Sequence, residues 1–191
     1  MIPSTAADLF VIKIGGGLAA VPGALERVCG AVSAAGCHHR ILVVPGGGPF
    51  ADAIREFEGA FGLSPDTAHW MAILAMDQYA HVLVQRIPGA RLIEEPGAVF
   101  ETTRPGRVAV LAPSRWMRAA DALPHTWEVT SDSIAAFVAG ALDAARLILI
   151  KPSSSPPAPV DPYFVRALPS GMPYSVVGCD RLELLAGSLT G

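Results

Sequence analysis

The chain has 191 residues and a formal net charge of −3, and 51% of its residues are hydrophobic while 16% are charged. This length suits one domain with a sizeable core, and the apolar content excludes general disorder. This net charge does not provide the excess of basic residues that is typical of nucleic-acid-binding proteins. No apolar stretch reaches membrane-spanning length, and residues 1–9 lack the pattern of a secretory signal, so we expect a cytoplasmic protein.

Two further features of the composition bear on environment and assembly. The three cysteines, Cys29, Cys37 and Cys179, are odd in number and lack paired metal-ligand spacing, which predicts reduced and mostly buried thiols. The low charged fraction suggests that a second subunit covers part of the surface, so a homo-oligomer is expected.

The first half of the chain alternates short apolar runs with helical segments. Residues 9–14 predict a buried strand closed by glycines, and residues 22–35 predict a helix that starts at proline and stops before Gly36. A second glycine-closed strand follows at 40–44, and then a helix at 49–61 with Ala53, Phe57 and Ala60 on its apolar face. Ser64 is the expected cap of a long helix over 65–86.

The second half continues the alternation. Strands are predicted at 91–94, 107–111, 146–150 and 174–177, with irregular or weakly helical sequence at 114–127. A helix is predicted at 131–144, capped by Thr130 or Ser131, and Asp180 is the expected cap of a last helix that runs to about 186. Residues 153–159 contain Ser, Pro, and Ala alone and predict a loop. This order predicts a single α/β domain, a three-layer α/β/α sandwich around a mainly parallel sheet.

Two glycine triplets follow two consecutive predicted strands. Glycine backbones let amides approach an anion closely, and the helix starts just beyond them add partial positive charge. Tight turns between a strand and a helix also use glycine, so one triplet alone would be weak evidence for anion binding. Neither the P-loop nor the dinucleotide-binding motif is present. The candidate phosphate-binding residues are Gly15, Gly16, Gly17, Gly46, Gly47 and Gly48.

Lysine is rare in this chain, and both copies follow predicted strands. Of 14 basic residues 12 are arginine, which leaves Lys13 before the first triplet and Lys151 at the end of the 146–150 strand. The compact ammonium of lysine differs from the planar fork of arginine, so these are candidates for positions where arginine does not substitute. The alternative is that two strand ends carry lysine by chance.

Four segments taken together resemble the amino-acid kinase family, whose members include acetylglutamate, aspartate, carbamate, uridylate and isopentenyl phosphate kinases. They are V-I-K-I-G-G-G, V-V-P-G-G-G-P-F-A-D, V-T-S-D-S-I-A-A-F-V-A-G-A-L-D-A and L-I-L-I-K, in that order over residues 9–151. The resemblance implies a carbamate kinase-like sandwich and transfer of the γ-phosphoryl group of ATP with Mg²⁺. It divides the chain into an acceptor-binding half at about 1–128 and a shortened nucleotide-binding half at about 129–191.

The resemblance also implies roles for single residues. Lys13 would contact the transferred phosphoryl group, Asp132 would organise the catalytic lysines, and Thr130 and Ser131 beside it would contact phosphate. Positioning and charge stabilisation are what phosphoryl transfer requires. Asp132 is otherwise an ordinary first-turn helix acid.

The nucleotide-binding half departs from the family pattern. Lys151 matches a strand end where relatives contact the nucleotide, so the resemblance implies that it is both catalytic and nucleotide-binding. Pro152 and Ser153 after it, and Asp161 and Phe164 further on, are the other expected nucleotide contacts. Asp161 and Phe164 fit the family's V-D-G-V-Y-T segment only loosely. The G-M-x-x-K segment that brings a second catalytic lysine in acetylglutamate kinase has no counterpart here. No protein side chain is expected to bind metal directly, because Mg²⁺ would be held by the phosphates of ATP.

Acceptor recognition is expected in the first half. Asp52 and Arg55 lie three residues apart after the second triplet, and the long helix carries His69, Asp77 and His81. We list Asp52 and His69 as substrate-binding candidates, and Asp52 or Asp77 as possible partners of an ammonium group.

Within the family, the pattern is similar to the small kinases that phosphorylate an aminomethylfuran methyl phosphate in methanofuran synthesis. This implies a small phosphorylated acceptor and a diphosphate product. Three alternatives stay open: a kinase for UMP or isopentenyl phosphate, a carboxylate kinase such as acetylglutamate kinase, and a non-catalytic anion binder like the molybdenum storage protein.

Overall fold

The computed structural model describes residues 9–153 and 159–189. The predicted loop at 153–159 therefore lies mostly outside the described residues, as does the segment before residue 9. Within the described part, no helix is long and apolar enough to cross a membrane.

The centre of the fold is a six-stranded sheet in the order β3-β4-β2-β1-β5-β6. All five strand pairings are parallel, and Ile12 in the middle of β1 lies opposite Val43 on one side and Ile148 on the other. The central strands are buried on both faces, which explains why their sequences are almost wholly apolar. The strands are β1 Leu9–Ile14, β2 Arg40–Pro45, β3 Ala90–Ile93, β4 Val108–Leu111, β5 Arg146–Lys151 and β6 Tyr174–Gly178.

Helices cover both faces of this sheet. A 3₁₀ turn at Gly16–Ala20 precedes α1, and a second at Pro96–Ala98 precedes α4. Ser64 caps α3 as predicted, since its Oγ accepts a hydrogen bond from the Thr67 amide at 3.2 Å. The helices are α1 Ala24–Gly36, α2 Gly48–Phe61, α3 Pro65–Arg86, α4 Val99–Thr102, α5 Ser114–Ala120, α6 Ser131–Ala141, α7 Phe164–Ala167 and α8 Glu183–Ser188.

Two apolar cores lie on opposite faces of the sheet. Side chains at even positions of β1, such as Ile12, pack with α1 and the C-terminal half of α3. Those at odd positions, such as Val11, pack with α6 and the N-terminal half of α3. This alternation follows from the two-residue period of a strand, and it confirms the predicted three-layer sandwich.

Three local expectations were wrong. The first helix starts at Ala24 after the 3₁₀ turn, because Gly23 adopts a left-handed backbone conformation that closes the preceding turn. The last helix starts at Glu183 with Leu182 in the capping position, so Asp180 lies before the helix and does not cap it.

The third error concerns the orientation of α2. The predicted inward face of Ala53, Phe57 and Ala60 is exposed to solvent, and Phe57 retains 45% of its surface. The face that carries Asp52 and Arg55 instead lines a cavity, and both of these side chains remain exposed at its opening. An amphipathic pattern identifies two faces of a helix, and here the charged face lines the site.

Candidate active site

Three charged side chains converge at the carboxyl end of the sheet. Lys13 lies near the end of β1 and Lys151 ends β5, and these two strands are neighbours. Both lysines occupy odd positions, so they point to the face that α6 covers. Asp132 lies in the first turn of α6 directly above them. The sheet and the helix therefore bring together residues that are far apart in the sequence.

The three side chains form a buried ionic centre. The Lys13 ammonium lies 2.9 Å from Oδ1 of Asp132, and the Lys151 ammonium donates to Oδ2 at 2.5 Å. The side chains retain 5%, 3% and 9% of their surface for Lys13, Asp132 and Lys151. Asp132 thus contacts both ammonium groups, and the nearby Asp161 carboxylate also attracts the charge of Lys13.

Burial and mutual attraction act against each other in this centre. Burial lowers the pKa of Lys13 below its ordinary value, and the nearby Lys151 charge lowers it further against the attraction of Asp132. Burial acts to raise the pKa of Asp132, but the two ammonium groups outweigh it and hold that pKa below its usual range. The aspartate is thus kept ionised between the lysines.

Asp161 fixes the start of α6 from outside the helix. Its Oδ2 accepts hydrogen bonds from the Thr130 amide, the Thr130 hydroxyl and the Ser133 amide at 2.9, 2.8 and 3.0 Å. Its Oδ1 accepts from the Ser133 hydroxyl at 2.5 Å. Because Asp132 lies between these two residues, Asp161 is a positioning residue for the ionic centre. Its carboxylate is engaged within the protein, and its contact with a nucleotide stays a prediction.

The two glycine triplets lie side by side at the same edge of the sheet. The Gly15 amide donates to Ile150 O at 2.9 Å and the Gly46 amide to Ile14 O at 2.8 Å, so both extend the parallel ladders. These two amides are therefore engaged within the sheet and are not directed at a ligand. The inner glycines, at the helix starts, line the cavity, and their contact with phosphate stays a prediction: Gly16, Gly17, Gly47 and Gly48.

The close approach of the two triplets requires glycine. A Cβ on Gly16 would collide with the backbone of Gly48, and a Cβ on Gly46 would collide with that of Gly16. Gly48 also has a φ of +58°, and a Cβ there would lie 3.1 Å from the ring of Tyr79. Side chains at these positions would push the two loops apart and fill the space above the inner amides.

A cavity of about 430 Å³ opens from the glycine loops. Of the predicted substrate-binding residues, Asp52, His69, Thr130 and Ser131 line it, together with the inner glycines. The ionic centre does not line this cavity and lies beyond its glycine end, next to Gly15 and Ser131 in the sequence. The apolar part of the wall comes from α3, α6 and the segment before α6: Ala68, Ala72, Ile73, Met76, Val129 and Ile134.

The segment 121–130, which we call the strap, closes one side of the cavity. Trp127 donates from its indole nitrogen to Glu58 Oε2 at 2.5 Å, and Arg55 stacks on the Trp127 ring at 4.6 Å. Sequence reasoning missed Glu58 and Trp127. Glu58 lies three residues after Arg55, so the two are neighbours on the helix surface, and this spacing could have found it. The irregular strap offers no comparable pattern.

His125 anchors the strap to α3. Its two ring nitrogens lie 2.8 Å from Asp66 and 2.9 Å from Asp121. Only the doubly protonated ring donates to both carboxylates, and the hydrogen bond to Asp66 raises the pKa of His125 above its ordinary value. His69 stacks on His125 at 4.2 Å, and burial first, then the His125 charge, lowers the pKa of His69 to about 4. A neutral imidazole therefore faces the cavity.

Other predicted residues lie away from this cavity. Asp77 accepts a hydrogen bond from the Ser114 amide at 3.0 Å, so it holds the start of α5 rather than an ammonium group. Phe164 is fully buried against the sheet and packs on Tyr174, which corrects its predicted nucleotide contact. His81 is exposed on α3.

Pro152 and Ser153, which are predicted to contact the nucleotide, follow Lys151 directly in the chain. A Cβ on Gly17 would lie 3.1 Å from the Pro152 ring, so the first glycine triplet lies close to this segment. The nucleotide contacts of both residues stay predictions. Among the described residues, no group of three or more His, Cys, Asp or Glu side chains is placed to hold a metal ion.

Comparisons with known proteins agree with this geometry. The sequence matches the amino acid kinase family over residues 8–153. It is 29% identical over 113 residues to the [5-(aminomethyl)furan-3-yl]methyl phosphate kinase of Methanocaldococcus jannaschii, a match that covers 58% of this chain and 50% of that protein. The chain thus spans about half the length of this curated relative.

Solved structures share the fold. The UMP kinase of Bacillus anthracis superposes with a TM-score of 0.67 at 13% identity, covering 94% of this chain and 92% of that one. The aspartate kinase of Synechocystis superposes with a TM-score of 0.66 at 15% identity, and the match covers 90% of this chain and 38% of the aspartate kinase. The uridylate kinase of Archaeoglobus fulgidus gives 0.58 at 18% identity, with coverages of 76% and 63%.

Proposed function

Because the chain belongs to the amino acid kinase family, we propose that it is an ATP-dependent phosphotransferase whose acceptor is a small phosphomonoester. The product is then a diphosphate. The acceptor that we propose is [5-(aminomethyl)furan-3-yl]methyl phosphate, the compound in the name of the M. jannaschii relative, in methanofuran-type cofactor synthesis.

The observation that carries this proposal is the buried centre of Lys13, Asp132 and Lys151. Two ammonium groups are held at one point by their shared contact with Asp132. An anionic ligand beside the centre would be attracted by both of them. The inner glycines lie at the same edge of the sheet and would offer fixed backbone donors to an anion.

Each residue of the centre has a role in this proposal. ATP with Mg²⁺ supplies the phosphoryl group and neutralises part of its charge when bound. Lys13 binds the oxygens of the group in transfer, and Lys151 binds the phosphate chain of the nucleotide together with Pro152 and Ser153. Asp132 holds both ammonium groups in place and keeps them apart.

The acceptor phosphate would bind at the glycine end of the cavity. Amides of the inner glycines and the N-terminus of α2 favour an anion there, and Thr130 and Ser131 add hydroxyl groups. A phosphate acceptor uses these donors better than a carboxylate, because it presents more oxygens to amides that converge from two loops. A homo-oligomer and cytoplasmic location are part of the same proposal.

Release of ADP tests the proposal directly. The protein is incubated with ATP, Mg²⁺ and one acceptor at a time: the aminomethylfuran phosphate, UMP, isopentenyl phosphate, acetylglutamate or carbamate. ADP release with a new diphosphate signal in the ³¹P spectrum is expected for the furan phosphate. Preference for another phosphomonoester would retain the kinase and change its acceptor. No transfer to any acceptor, with oxoanions bound, would favour the storage-type alternative.

A further inference from the structure

The cavity differs chemically between its two ends. One face of α2 runs along it, because the residues of α2 that line it follow helical spacing: Gly48, Ala51, Asp52, Arg55 and Glu58. Ten residues of helix separate Gly48 from Glu58, which is about 15 Å along the axis. Side chains lean towards the helix N-terminus, so the Glu58 carboxylate reaches back towards the glycine end. The glycine end and Glu58 thus belong to the wall of one cavity.

The middle of the cavity is apolar. Ala68, Ala72, Ile73 and Met76 come from successive turns of α3, and Ile134 of α6 lies opposite them. Alanines at 68 and 72 leave width for a flat ring. A body without charges fits this part, because a polar group there would lose water without gaining a partner.

The far end carries negative charge in excess. Arg55 donates to Asp52 at 2.8 Å and stacks on Trp127, so its charge is matched within the pair. Glu58 accepts only a neutral indole N–H, from Trp127, among the hydrogen bonds of the described residues. Its charge is therefore not matched by a cation, and the strap covers it from one side.

We propose that Glu58 is a specificity-determining residue that binds an ammonium group on the acceptor. The acceptor class is then a phosphomonoester with a small apolar body and a cationic end. This inference rests on the proposed function, since it assigns the glycine end to the acceptor phosphate. The indole of Trp127 holds the carboxylate in place, and an ammonium group binds to its remaining lone pairs.

A neutral acceptor leaves the same carboxylate without compensation. A nucleoside or isoprenoid monophosphate that fills the cavity would remove water from Glu58 and supply no positive charge. Discrimination by an unpaired buried group is stronger than discrimination by shape. Glu58 therefore selects for the amine and against acceptors that lack it.

The test compares two acceptors that differ in one group. One is [5-(aminomethyl)furan-3-yl]methyl phosphate, and the other has methyl in place of aminomethyl. Glu58→Gln removes the charge but keeps an oxygen for the Trp127 N–H. Glu56→Gln is the matched control, because Glu56 is exposed on the same helix and does not line the cavity. Both kcat/KM with ATP and equilibrium binding of each acceptor without ATP are measured.

We expect the wild type to prefer the amine-bearing acceptor by about 10- to 100-fold, as for a hydrogen bond between charged groups. Glu58→Gln should remove most of this preference while Glu56→Gln retains it. Equal use of both acceptors by the wild type, or an undiminished preference in Glu58→Gln, would overturn the inference and leave the kinase in place. Absence of turnover with discriminating binding that depends on Glu58 would instead refute the proposed function alone.

Discussion

The ionic centre and the cavity beside it are built in opposite ways. The centre is made of strand ends and one helix start, is closed to solvent, and is fixed by the many hydrogen bonds to Asp161. The cavity is made of helix faces and an irregular strap, is partly open, and is closed by single contacts such as Trp127 to Glu58.

This difference separates two tasks. A group that stabilises developing charge must be placed in advance and kept dry, and the sheet provides both conditions. A cavity that binds the acceptor must also open to let it enter and leave. A wall formed by a segment with few contacts, such as the strap, allows this. Changes in the centre should therefore affect the rate of transfer, while changes in the strap should affect stability or acceptor choice.

The largest effect is expected from Lys13→Arg. The planar guanidinium is wider than the ammonium group that it would replace, and the site between Asp132 and the strand ends is buried. We expect turnover to fall by about 10²-fold or more, the cost of losing one preorganised group. Arg27→Lys on the exposed face of α1 is the control. Near-normal turnover by folded Lys13→Arg would break the argument from lysine chemistry.

Asp161→Asn should affect both the centre and the stability of the fold. An amide cannot accept all the hydrogen bonds that the carboxylate accepts from Thr130 and Ser133, and its NH₂ group would face donors. We expect a loss of about 1–3 kcal/mol in the free energy of unfolding, the cost of leaving buried donors unpaired. Turnover should fall as Asp132 loses its fixed position. Denaturant unfolding and ADP release measure the two effects, and unchanged values for both would contradict the assigned positioning role.

The strap should respond to pH through His125. Its folded-state pKa is raised above the unfolded value, first by the hydrogen bond to Asp66. Its stabilisation is therefore fully present below about pH 6.5 and is lost as pH rises through the folded-state pKa. His125→Gln should lower Tm relative to wild type at about pH 6 and by much less at about pH 9. The same Tm difference at both pH values would refute this account, and exposed His38→Gln is the control.

The smallest effect on turnover is expected from the exposed outer side of α2. Phe57 and Phe61 stack on each other at 4.2 Å with 45% and 70% of their surfaces exposed, and Leu74 of α3 is also exposed. We predict that a second copy of the chain covers them. Light scattering should show a dimer or a ring of dimers for wild type and a lower mass for the Phe57→Ser/Phe61→Ser double variant. Val165→Ser is the control, and a monomeric wild type at micromolar concentration would contradict the prediction.

Much of the centre was predictable from the sequence because its parts lie at element ends. Apolar runs marked β1 and β5, and rarity of lysine marked Lys13 and Lys151. The pairing of Lys151 with Asp132 needed the structure, since it depends on which strands are neighbours. The engagement of the Gly15 and Gly46 amides also depends on strand register, which the glycine pattern does not contain.

The cavity was less predictable for a physical reason. The orientation of α2 is set by its packing against α3 and the glycine loops, so an apolar pattern alone placed Phe57 inside. Trp127 and His125 lie in the strap, where no periodic spacing exists and these contacts join residues 59 and 69 positions apart. Asp161 has its role because a distant loop returns to the start of α6.

Phosphoryl transfer by Asp132→Asn tests the central claim most directly. The change keeps the shape of the side chain, removes the charge between Lys13 and Lys151, and is compared with Asp143→Asn after the other end of α6. Single-turnover transfer and ATP binding are measured on folded protein. The account predicts a transfer rate lower by about 10²-fold or more with a much smaller change in ATP affinity, and a normal rate for Asp143→Asn. An unchanged transfer rate in Asp132→Asn would mean that Asp132 only stabilises the first turn of α6, and it would contradict the account.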